Sequence, residues 1–116
     1  MNPEEPRLRT KKFALRIIAL FRALPRKTEA QVMGNQLLRS GTAVAANYRA
    51  ACRARSRAEF VARIAVVEEE ADESAFWLEL LGDSATMKPT RLAALLAEAR
   101  ELTAIFTATR RTAKRS

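Results

Sequence analysis

Apolar residues recur along this chain at alternating three- and four-residue steps, the spacing that draws one stripe down an α-helix. Phe13, Ile17, Leu20 and Leu24 predict a first helix from about Arg9, widened by Ile18 and Phe21 and ended by Pro25. Thr28-x-x-Gln31 has the form of a capping box and opens a second helix. Its stripe reads Ala30, Met33, Leu37, Ser40, Val44, Asn47 and Ala51. Gly34 and Gly41 lie inside it, each costing up to about 1 kcal/mol relative to alanine, so each predicts a close helix approach or a bend, with the bend expected at Gly41 beside Ser40. A Ser56-x-x-Glu59 box starts a third helix carrying Phe60, Ile64, Val67, Ala71, Ser74, Leu78 and Leu81. Val61, Phe76, Trp77 and Leu80 add a second apolar edge, more than a four-helix core requires, which predicts contact with a neighbouring subunit. Gly82 and the segment to Pro89 stop it, and Leu92, Leu95, Ala99, Leu102 and Phe106 mark a fourth helix.

Three short connections between long helices predict an all-α protein, an antiparallel up-down-up-down four-helix bundle. A chain of 116 residues builds one core. The bundle is expected over 9–110, after a flexible arm at 1–8 and before a basic tail at 111–116.

An acidic run, Glu68, Glu69, Glu70, Asp72 and Glu73, sets like charges four residues apart on the third helix, which opposes helix formation unless cations offset it. Counting back from the turn near Ala54 places Arg39 and Ser40 level with Glu70, and Gln36 level with Glu73. Counting across the next turn places Arg100 near Asp72. These residues predict a partly buried polar layer of Arg39, Ser40, Asn47, Glu70 and Glu73, joined by Arg100 and Arg16, that sets helix register. Asn47, an amide within an apolar stripe, is expected to specify register or oligomer state.

Composition narrows the chemistry. Without histidine, a glycine-rich phosphate loop or an activated nucleophile, the chain lacks the usual parts of a catalytic site, and it is expected to be a non-enzyme without cofactor. Di-iron bundles need Glu-x-x-His pairs, so no metal site is expected. The lone Cys52 excludes an internal disulfide and is read as a small core filler. The acidic, proline-bearing start is unlike a signal peptide and no run is long enough to span a bilayer, so the expected location is cytoplasmic. Against 13 acidic residues stand 21 cations, 16 of them arginine, for a net charge of +8, which favours polyanionic partners.

The blocks Gln36–Arg49, Ser56-Arg57-Ala58-Glu59-Phe60, Glu70-Ala71-Asp72-Glu73-Ser74 and Trp77–Leu81 together resemble the bacterial four-helix-bundle family that includes proteins encoded in intervening sequences of large-subunit (23S) ribosomal RNA genes, and the accessory variability protein of diversity-generating retroelements. The likeness spans roughly Phe13 to Phe106. It implies an antiparallel four-helix bundle assembled as a ring-shaped homopentamer and, by analogy with the retroelement member, a basic surface that binds nucleic acid and a reverse transcriptase. Where that family usually carries an acidic residue after the stretch matching Asn47-Tyr48-Arg49, this chain has Ala50, which makes the surface there more basic.

Arg49, Arg53, Arg55, Arg57 and Arg63 crowd the junction of the second and third helices. One reading is a solvated helix end, where cations also meet the helix dipole favourably. The other is a nucleic-acid-binding rim, extended by Lys11, Lys12 and Arg16 and by the C-terminal tail, and multiplied by assembly. Tyr48 is expected to pack between helices rather than stack on a base. A scaffold whose partner is another protein is the alternative function.

Overall fold

A computed structural model describes residues 2 and 4–116. Four helices follow in chain order: α1 (Glu4–Arg22), α2 (Thr28–Ala51), α3 (Arg57–Asp83) and α4 (Pro89–Arg115). Each packs on its chain neighbours and α4 returns beside α1, so α1 and α3 are diagonal, as are α2 and α4, and the diagonal pairs have no close backbone approach, α2 meeting α4 only through core side chains such as Tyr48 and Phe106. This is the expected up-down-up-down bundle, 46 Å long and about 20 Å across. Phe13, Ile17, Leu37, Ile64, Leu78, Leu81, Leu102 and Phe106 are essentially fully buried along its axis.

Helix extends further towards both ends than expected. In place of an arm, α1 begins at Glu4: the Asn2 side chain accepts the Glu4 N–H at 3.1 Å, and Pro6 sits in the first turn, where a missing N–H costs nothing. Pro6 and Thr10 are buried, which holds that turn against the bundle. In place of a tail, α4 continues to Arg115, since no breaker interrupts it and its terminal cations suit the negative end of the helix.

The two glycines of α2 serve close approach, within one uninterrupted helix. A Cβ on Gly34 would lie 2.5 Å from Leu24 Cδ1, and one on Gly41 would lie 2.7 Å from Ile17 Cγ1. The core stripe of α2 also differs by one residue: Tyr48, not Asn47, is buried there, its ring 5.3 Å from that of Phe106. Burial pushes the Tyr48 hydroxyl pKa upward, and a hydrogen bond with Cys52 adds to it. Asn47 is only half-buried and donates to the Ala43 carbonyl of its own helix at 2.9 Å, not to a neighbouring helix. Cys52 is exposed just past the helix end, a correction to its reading as core filler.

Capping follows local geometry. Ser56 accepts the Glu59 N–H at 3.0 Å, while the Glu59 carboxylate accepts the N–H of Arg55 at 2.9 Å, so the box closes one residue early. The Thr28 box does not form: helical geometry already begins at Thr28, which removes it from the capping position. The end of α3 turns at Ala85, not Gly82. Ala85 has φ 59°, and the Thr86 N–H reaches the Leu81 carbonyl at 3.1 Å in a Schellman arrangement. A Cβ is unfavourable at positive φ, so Ala85→Gly is expected to raise stability by about 1 kcal/mol, measured by urea unfolding.

Arg39 reaches across to α3 as expected, meeting Glu70 at 3.1 Å and also Glu73. Trp77 Nε1 donates to Glu73 at 2.9 Å, and the buried Ser40 and Ser74 hydroxyls lie 2.9 Å apart. Arg100 instead sits 3.6 Å from Glu79, and Arg16 acts on Glu98 of α4 and not on Glu70 or Glu73, because α1 does not adjoin α3. Two further clusters compensate charge: Arg110 and Thr107 on Glu68, and Arg9 forked on Glu98 with a second contact to Glu101.

These contacts hold three carboxyls below their usual range: Glu68 through Arg110 and Thr107, Glu73 through Trp77 and Arg39, Glu98 through Arg9. A depressed folded-state pKa contributes stability that is complete above the unfolded value of about 4.3 and disappears as pH falls below it. The chain has no histidine. The melting temperature is therefore expected to be flat from about pH 6 to 9 and to fall steeply below about pH 4.3. A scanning-calorimetry series with a step near pH 6.5 would contradict this.

Candidate nucleic-acid interface

The turn between α2 and α3 brings Arg49, Arg53, Arg55 and Arg63 around one open hollow, with Ala46, Ala50 and Glu59 completing its wall. Local geometry accounts for this: Arg49 is in the last turn of α2, Arg53 follows in the turn that continues from it, and Arg63 falls in the second turn of α3. Ala46 and Ala50 keep the floor shallow. Glu59 is the one carboxylate in the wall, and it is already engaged by the Arg55 backbone N–H. Among the described residues, none of these four guanidinium groups makes an ion pair.

Antiparallel packing sends the start of α1 and the end of α4 to the same end of the bundle. Arg110 meets Glu68 there, and Arg111, Lys114 and Arg115 follow, all three exposed. The first turn of α3 also presents the positive end of its dipole. One end therefore carries an excess of positive charge over Glu4, Glu5 and Glu59 beside it, while the middle of α3 carries the acidic run. Arg57 is exposed at the first position of α3, outside the hollow, and Lys11 and Lys12 are exposed on α1, also outside it. The charges Arg111, Lys114 and Arg115 belong to the C-terminal stretch expected to extend the surface, and the helical continuation of α4 is what carries them at this end. Among the described residues, no three His, Cys, Asp or Glu side chains converge as metal ligands would.

Comparison with known proteins supplies the family. A model of the 23S rRNA-intervening sequence protein family matches residues 8–108. The chain belongs to that family. A crystal structure of a protein of unknown function from the S23 ribosomal protein family of Bacteroides thetaiotaomicron VPI-5482 is 30% identical. It superimposes with a TM-score of 0.88, over 96% of this chain and 99% of that one. No functionally curated protein matches. Among the described residues, no helix is long and apolar enough to cross a membrane.

Proposed function

We propose that this family member is a non-enzymatic, self-associating bundle of the cytoplasm that binds the phosphate backbone of nucleic acid through its arginine end. The carrying observation is the hollow formed by Arg49, Arg53, Arg55 and Arg63, four guanidinium groups without an ion pair among the described residues, against the single carboxylate of Glu59. Arginine matches phosphate through paired donors, whereas base reading needs groove-entering side chains or aromatic platforms. Tyr48, beside Arg49 in sequence, is buried against Phe106. Binding therefore follows charge and not sequence.

Self-association, as the homopentamer that the family resemblance implies, repeats the arginine end around an axis and raises its avidity for a polymer. A reverse transcriptase or another protein is a further partner in this reading. The alternative, a scaffold with no nucleic-acid contact, draws on the half-exposed Phe76 stacked edge-on against Trp77, a surface suited to protein.

Titration of short RNA and DNA duplexes across a salt series separates the two. Affinity is expected to fall with log salt at a slope of about 0.9 per phosphate contacted on DNA duplexes, with little dependence on sequence. Absence of binding at low ionic strength rejects the proposal and leaves the scaffold.

A further inference from the structure

Two helix faces remain without cover, and they are complementary. On the outer side of α1, Leu8 and Leu15 are 65% and 58% exposed, with Lys11 and Lys12 between them. On the outer side of α3, Val66 and Phe76 are 37% and 51% exposed, with Glu69 and Asp72 between them. Among the described residues, Lys11, Lys12, Glu69 and Asp72 make no ion pair or side-chain hydrogen bond. Isolated apolar residues on a surface are ordinary. Here, though, two faces show the same order of apolar, charged and apolar residues, with charges of opposite sign.

The two faces also agree in height. Ile17 packs on Gly41, whose neighbour Ser40 meets Ser74, so Ile17 and Ser74 lie at nearly one level. Lys11 and Lys12 precede Ile17 by about a turn and a half, as Glu69 precedes Ser74, and Asp72 follows Glu69 by less than one turn, within reach of a long lysine side chain. Because α1 and α3 are diagonal, the faces point away from one another and cannot meet within one chain. They can meet between chains.

We infer that the outer face of α1 docks on the outer face of α3 of a second copy, Lys11 and Lys12 against Glu69 and Asp72, with Leu8 and Leu15 against Val66 and Phe76. The inference rests on the self-association proposed above and assigns the surfaces that make it. The contact is heterologous, one patch meeting a different patch, so it repeats from copy to copy instead of ending at a dimer. Since α1 and α3 both start at the arginine end, docking in the same direction sets every copy's arginines on one rim. Lys11 and Lys12 then belong to the subunit contact and not to the nucleic-acid surface. Unlike charges between the docked faces would also relieve the acidic run on α3 that Arg39 and Arg110 leave uncompensated at Glu69 and Asp72.

Light scattering after size exclusion, at tens of micromolar, tests this with charge reversals. Lys11→Glu/Lys12→Glu and Glu69→Lys/Asp72→Lys are each expected to reduce the assembly to single-chain mass while keeping the helical circular dichroism signal. Combining all four in one chain is expected to restore the wild-type mass, which a merely misfolded variant would not do. If either reversal alone keeps the wild-type mass, the assigned faces are wrong and self-association by another surface stands. If the wild type is itself a monomer, self-association falls and this inference with it.

Discussion

Gly41→Leu is expected to destabilise the bundle by about 3 kcal/mol, lowering its melting temperature by roughly 10 °C or more. At Gly41 even a single methyl does not fit. Its Cβ would stand 2.7, 3.0 and 3.2 Å from Cγ1, Cγ2 and Cβ of Ile17, a fully buried residue. Those atoms surround the branch point of isoleucine, so no rotation about the end of the side chain clears them, and α1 itself must move outward. The helix-propensity gain of about 1 kcal/mol on replacing glycine is too small to compensate. Gly34→Ala provides the contrast: the nearest atom is Cδ1, the far end of the Leu24 side chain, which can turn aside, and the Phe21 ring at 3.2 and 3.3 Å need give only a few tenths of an ångström. That variant is expected within about 1 kcal/mol of wild type, since the propensity gain offsets the repacking. Equal melting temperatures for the two variants would refute close packing at Ile17 as the reason for Gly41.

Replacing Arg49, Arg53, Arg55 and Arg63 together by alanine is expected to weaken duplex binding at low salt by about two orders of magnitude and to flatten its salt dependence. The log–log slope on DNA falls by about 0.9 for every phosphate that a subunit no longer neutralises. Because none of the four is ion-paired, melting is expected to stay within about 0.5 kcal/mol of wild type. Arg39→Ala reverses the pattern: its guanidinium is committed to Glu70 and Glu73, so the effect appears in stability and not in binding. Retained affinity in the fourfold variant would move the interface elsewhere, with Arg111, Lys114 and Arg115 the next cations at the same end.

Self-docking of α1 on α3 connects these results. A rim of arginines gains strength only from copies facing the same way, and the diagonal placement of two helices that start at one end provides for that. Reversal of the Lys11 and Lys12 charges is therefore expected to weaken polymer binding indirectly, by dispersing the rim, while the arginine variant weakens it in an intact assembly.

Much of this was legible in the chain. The three-and-four spacing of apolar residues specified four helices, their short connections specified antiparallel neighbours, and counting residues back from the turn near Ala54 placed Arg39 beside Glu70. The Ser56 cap and the arginine crowding were equally visible, because both are local in sequence. Errors arose where burial depends on how a helix is rotated: Asn47 and Tyr48 are adjacent, and either fits the heptad count to within one position. Packing against Phe106 selected Tyr48. Cys52 was misplaced for a related reason, since α2 ends one residue before it and turns it to solvent.

The sequence by itself determined the helices, their order and the excess of arginine at one junction, because periodicity and local chain geometry need no knowledge of distant partners. Tertiary structure decided that Arg110 and Arg9 would neutralise Glu68 and Glu98, and that Arg16 would act on Glu98 and not on the Arg39 layer. It also left the faces of α1 and α3 uncovered on opposite sides. Those outcomes depend on which helices are diagonal and how each is rotated, and both are settled only when four stripes close on one core.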